Sequence, residues 1–194
     1  MLIRSIREAG GLAILAHPAW SLNTPEDMAA LWDFDGTEIY NSVSEAGMSD
    51  RPYSGVLIDM VATRGIYPPI LATDDTHYFG GEEGRGFLMV DADEVDRVGY
   101  VAAIKAGKFY ATQGPEIHTE RVDDTTVRVT CSPCDRIVFF SNVVWTKGRV
   151  VTGEGLTQAT YTLHPKDTFI RVEVTDKQGR RGYGQILPIR EVDS

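Results

Sequence analysis

The sequence predicts an α/β chain with a mainly parallel sheet, followed by a small antiparallel, sandwich-like β domain. Three observations carry this. Short apolar runs alternate with helical periodicities from residue 12 to residue 106, and a strand-helix-strand order builds parallel sheets because each crossover returns the chain to the same edge. From about residue 108 the text changes to short β-branched runs separated by polar and glycine-rich turns, the pattern of antiparallel strands. Finally, His17, Asn41, Asp75 and His77 each stand at or just beyond the end of a predicted strand. In α/β folds that end of the sheet is where ligands bind. The boundary is placed near Gly114, giving domains 1–113 and 114–194.

The elements follow in order. Residues 2–9 read as a helix with Leu2, Ile3 and Ile6 on one face, and Gly10-Gly11 ends it. The wholly apolar run 12–16 has the length of a strand buried on both faces. Residues 25–31 open with a proline and two acids after Thr24, a good helix start. A second strand is expected at 36–41. A helix is expected at 50–64, with Asp50 as cap and Val56, Leu57, Met60 and Val61 as its stripe. Strands at 68–73 and 84–92 and a helix at 93–106, opened by Asp93, complete the first domain. Beyond it, VRVTC, RIVFF, ATYTL and FIRVEVTD read as antiparallel strands.

Composition narrows the function. The 194 residues hold 28 acidic against 19 basic side chains, a net charge of −9. That excess opposes a nucleic-acid backbone as main partner, and an anionic substrate would need bound metal to invert the local field. No apolar run approaches the ~18 residues of a spanning helix, and no secretory cleavage pattern is visible. Two cysteines make no disulfide framework. The expectation is therefore a cytoplasmic chain without a membrane partner.

The strongest local feature is TDDTHYFG at 73–80. An Asp-x-His after an apolar strand puts a carboxylate and an imidazole, Asp75 and His77, on one loop. Together they suit Zn²⁺, Mn²⁺ or Fe²⁺. Asp74 points elsewhere and is expected to orient an imidazole. The second feature, LAILAHP, ends a buried strand on His17. Each motif also has a plain reading, a capped turn for one and a strand-terminal histidine for the other. Parallel strands bring such ends together. By the two-residue period of a strand, Glu38 and Tyr40 share one face, and Ile39 and Asn41 the other.

GGLAILAHP, DGTEIYN and ATDDTHY, in that order, resemble the PHP (polymerase and histidinol phosphatase) domain of metal-dependent phosphoesterases. The likeness continues through AAIKAGKFYATQGPEI into the β-rich portion and covers essentially the whole chain. It implies part of an irregular β/α barrel, its C-terminal part, with divalent metals at the strand ends. It also implies hydrolysis of phosphate esters, of phosphorylated small molecules or nucleotides, by metal-bound hydroxide. Residue by residue, His17, Asp75 and His77 become metal ligands, with Asp75 and His77 at the catalytic centre and Glu38 and Asn41 in support. Arg85 is a candidate for a substrate phosphate.

The family's His-x-His motif has no counterpart here, since residues 1–16 contain no His, Asp or Cys. The expectation is a C-terminal portion of the domain, holding at most one metal ion with reduced affinity, and incomplete or inactive by itself. The rival expectation is a non-catalytic structural or interaction module. Such a chain is expected to be a fragment of a longer protein or to pair as a homodimer through its open sheet edge.

The remaining motifs read as structure. CSPC at 131–134 lacks a second cysteine pair and is expected to be a β-turn cornered by Pro133. Trp20, Trp32 and Trp145 are expected in the core or an interface, and Arg149, Arg180 and Arg181 in solvent.

Overall fold

The computed structural model describes residues 2–31, 33–47 and 49–192. The chain is a mixed α/β structure with a three-stranded parallel sheet and an eight-stranded antiparallel sheet.

The parallel sheet is built first. Helix α1 (Leu2–Glu8) ends at Gly10, whose φ of +82° is the left-handed cap that glycine adopts without strain. Strand β1 (Ile14–Leu15) is shorter than the apolar run around it, and of residues 12–16 only Ala13 is buried. The expected two-sided burial fails because β1 pairs only with β2 and forms the edge. Helix α2 (Pro25–Ala30) starts as expected, with a reciprocal capping box between Thr24 and Asp27. Strand β2 (Gly36–Asn41) is buried at every position. A 3-10 turn (Val43–Glu45) leads toward helix α3 (Gly55–Ala62).

Helix α3 starts five residues later than the sequence suggests. Asp50 takes a left-handed φ of +56°, and the cap is Ser54. Its buried face is Ile58, Val61 and Ala62, whereas Val56 and Met60 are exposed. Strand β3 (Ile70–Thr73) closes the order β1-β2-β3.

The parallel expectation stops there. Strand β4 (Phe87–Val90) pairs antiparallel with β5 (Phe109–Thr112), after helix α4 (Arg97–Lys105), capped by Asp96 and not by Asp93. The apolar run at 87–90 cannot reveal its direction; its partner does. The sheet continues through β6 (Ile117–Arg121), β7 (Thr126–Phe140), β8 (Val150–Thr162), β9 (Phe169–Thr175), β10 (Arg181–Tyr183) and β11 (Leu187–Pro188). It is one connected sheet and not a two-sheet sandwich. The early half of β7 pairs with β6, its late half with β9, and β8 follows both halves.

Two apolar clusters form the core. One joins Met28, Ile39, Ile58, Val61 and Ile70 to Phe169 and Tyr183; the other gathers Ile117, Val127, Val129, Ile137, Phe139 and Val172 within the antiparallel sheet. Strand β9 is buried from Phe169 to Val174: Ile170, Val172 and Val174 face the second cluster, while on the other face Phe169 joins the first cluster and Arg171 and Glu173 are buried as an ion pair. Trp145 is 93% exposed and Trp20 about half exposed, so neither belongs to the core, while Trp32 lies outside the described residues. Arg149, expected in solvent, is nearly buried beside Asp167.

Candidate functional site

The site begins with Glu38 on β2. By strict alternation Glu38 and Asn41 face opposite ways. The ladder between β2 and β3 shifts register between Glu38 and Tyr40, so the expectation fails and the two side chains meet. Asn41 Nδ2 donates to Glu38 Oε2 at 2.9 Å. The same oxygen accepts the His17 backbone N–H at 2.7 Å, and Oε1 accepts the Thr73 hydroxyl at 2.8 Å. A carboxylate buried to 7% exposure is thus satisfied by donors from three strand ends.

Asn41 extends the network. Its Nδ2 also reaches Asp75 Oδ2 at 3.2 Å, and its Oδ1 accepts the Ser44 N–H. Asp75 Oδ2 lies 4.0 Å from His17 Nε2. The other ring nitrogen, His17 Nδ1, is 2.9 Å from Ser21 Oγ. With Nδ1 donating to Ser21, Nε2 presents a lone pair toward Asp75. Sequence pattern alone does not mark Ser21 or Thr73 as members of this site. Ser21 sits four residues beyond His17, too generic a spacing to mark it.

Both converging residues carry backbone strain. His17 has φ +32° and Asp75 φ +57°, in the left-handed region that costs a non-glycine residue roughly 1–2 kcal/mol. Their surroundings hold them there: Glu38 grips the His17 N–H, and Asn41 the Asp75 carboxylate. Such strain collects at functional positions.

Asp74 does not orient an imidazole. Its carboxylate accepts the backbone N–H groups of Gly84, Arg85 and Gly86, and so folds the 75–86 loop back on itself. Gly86 is required at the base of that loop. A Cβ there would stand 2.7 Å from the Thr73 carbonyl oxygen and 2.9 Å from the Tyr40 ring. Glu82 Oε1 accepts the N–H groups of His77 and Tyr78.

The structure therefore brings together His17, Glu38, Asn41 and Asp75. It leaves His77 exposed on the loop, its ring 6.1 Å centroid to centroid from Tyr78. Arg85 is also exposed. Among the described residues, no three His, Cys, Asp or Glu side chains are disposed to hold one metal ion. Two donors converge, His17 Nε2 and Asp75 Oδ2, both partly open to solvent. They do not amount to a complete metal centre. They are one nitrogen and one oxygen donor 4.0 Å apart, tied to the Glu38–Asn41 network.

No family model matches the chain, and no curated protein matches it. Among solved structures it is similar to a two-domain protein from Bacteroides vulgatus that contains a predicted PHP-like metal-dependent phosphoesterase. The identity is 17% and the TM-score 0.43, over 95% of this chain and 64% of that one. The chain thus spans less than two thirds of that protein's length. Among the described residues no helix is long and apolar enough to cross a membrane.

Proposed function

We propose that this chain carries part of a divalent-metal phosphoesterase site of the PHP kind and is an incomplete catalyst by itself. The supporting observation is the convergence of His17 Nε2 and Asp75 Oδ2 at 4.0 Å, on strained residues anchored by Glu38 and Asn41. An imidazole nitrogen and a carboxylate oxygen suit Zn²⁺, Mn²⁺ or Fe²⁺. Two donors leave most of a coordination shell to be supplied from elsewhere, and binding by this chain alone is correspondingly weak. His77 is an exposed third donor on the same loop. The substrate class is a phosphorylated small molecule or nucleotide. The carboxylates of Glu38, Asp74 and Asp75 repel such an anion until a cation offsets them.

Calorimetric titration of the purified chain with Mn²⁺ or Zn²⁺, with p-nitrophenyl phosphate hydrolysis followed in parallel, tests this. We expect at most one weakly bound ion and no turnover above that of free metal. His17→Ala and Asp75→Asn each lower the affinity at least about tenfold. Two or more tightly held ions with turnover would overturn the incompleteness, and no binding at all would remove the half-site.

A second reading, a homodimeric structural or interaction module, is favoured by the edge of the parallel sheet. A groove of about 220 Å³ lies there, lined by Leu2, Ile3, Ile6, Ile14, Leu15 and Phe34. A second copy seated on that edge would cover it. Light scattering decides: a dimer dissociated by Ile6→Glu supports this reading, and a monomer at every concentration excludes it.

A further inference from the structure

CSPC is not a turn. It lies inside β7, where the ladder to β8 skips from Thr130↔Gln158 to Cys134↔Leu156. Four residues of one strand therefore span two of the other, and Cys131, Ser132 and Pro133 bulge out. The bulge is tied down on its outer side: the Glu116 N–H donates to Ser132 Oγ at 3.0 Å, and the Ser132 N–H to the Glu116 carbonyl at 3.2 Å. Its geometry turns the two thiols toward each other, with Sγ atoms 3.6 Å apart. That is van der Waals contact for sulfur. A bond of about 2.05 Å needs a closure of only ~1.6 Å, within a segment whose register to β8 is already broken and whose remaining pairing is that of Cys131 with Ile117 on β6. Cys134 is 1% exposed and Cys131 is partly accessible, so one thiol is open to attack and the other is sheltered beside it.

We propose that Cys131 and Cys134 form a redox-modification site that closes reversibly to an intrachain disulfide, by exchange with a small disulfide of the glutathione class. The accessible Cys131 thiolate attacks one sulfur of the small disulfide. That S–S bond breaks, and the departing thiolate takes up the proton Cys131 released. Cys134 then loses its proton and attacks Cys131 Sγ in the mixed disulfide, expelling the second small thiol. Two cysteine thiols are oxidised to one disulfide, and one small disulfide is reduced to two thiols. Burial, and then the contact with Cys134, push the Cys131 thiol up to about 12. The attacking thiolate is scarce at neutral pH, so closure is slow.

The test incubates the full chain with oxidised and reduced glutathione at set ratios, quenches with acid and reads intact mass and tryptic peptides. The expected product has lost two hydrogens, with Cys131 and Cys134 joined. Cys131→Ser and Cys134→Ser do not give it. Because either variant can disturb β7, the wild-type closure constant is also measured in urea; the native constant is at least about tenfold larger. Accumulation of a stable mixed disulfide, disulfide-linked dimers, two persistent free thiols, or equal constants in the native and urea-unfolded chains would each overturn the proposal.

Discussion

Glu38 binds three donors with two oxygens, and each donor belongs to a residue that shapes the site. The chemistry of the replacement therefore matters more than its size. Glu38→Gln keeps an acceptor on one side, and its amide can donate to the Thr73 hydroxyl, which accepts as readily as it donates. The expected loss is under about 1 kcal/mol. Glu38→Ala leaves the His17 N–H and the Asn41 amide without a partner and costs about 2–4 kcal/mol. Urea unfolding of the two variants checks the difference, and equal losses would show that the network contributes nothing. Asp74 acts on backbone alone. Asp74→Ala is expected to speed hydrogen exchange at Gly84, Arg85 and Gly86 and to lower stability by about 1–3 kcal/mol, since three N–H groups lose one acceptor.

At the scale of elements, helix α1 is held on the parallel sheet by charge. Arg7 Nε donates to Asp35 Oδ1 at 3.0 Å, and Asp35 Oδ2 accepts the Ala13 N–H at 2.8 Å. Burial pushes the Asp35 carboxyl up, but the Arg7 guanidinium and the Ala13 N–H outweigh it and hold the carboxyl below its ordinary range. A carboxyl depressed in the folded state stabilises above its unfolded pKa of about 4, and that contribution is lost as pH falls through the folded value. Stability should fall on acidification below about pH 4. Asp35→Asn should be less stable at pH 7 and show a shallower acid loss over that window, measured by urea midpoints from pH 7 to pH 2. Strand β2 has a similar dependence on one position. A Cβ at Gly36 would come within 2.3 Å of Leu71 Cδ1, so Gly36→Ala should cost about 1–3 kcal/mol by forcing the buried Leu71 side chain to repack.

Over the whole molecule, Arg171 joins the two sheets' layers. It is 1% exposed, and its guanidinium meets both Asp59 oxygens on α3, at 2.7 and 2.8 Å, and also Glu173 on its own strand. The Gln185 amide adds a second link, accepting the Ile70 N–H and donating to the Ile70 carbonyl as an extra strand would. Arg171→Met leaves the Asp59 carboxylate unpaired and Glu173 with Arg181 alone, at 3.4 Å, and should cost about 3–5 kcal/mol. These ties predict one cooperative unfolding transition for the chain. Coincident urea curves from far-ultraviolet circular dichroism and tryptophan fluorescence would agree with it; two separated transitions would place an independent folding boundary near residue 113.

Local pattern determined much of this protein. The capping box at Thr24, the strand at 36–41, the glycine stop at Gly10 and the antiparallel character of the C-terminal half all rest on short-range propensity and periodicity, which a sequence carries openly. The placement of His17, Asn41 and Asp75 at one end of a parallel sheet was legible for the same reason. Tertiary structure decided the rest. Only the register shift in β2 turns Glu38 toward Asn41, only the partner of β4 makes that strand antiparallel, and only the bulge in β7 brings two thiols into contact. Each depends on which strand lies alongside and in what register. That choice is made by backbone hydrogen bonds and burial between residues distant in the chain, and no local run of side chains encodes it.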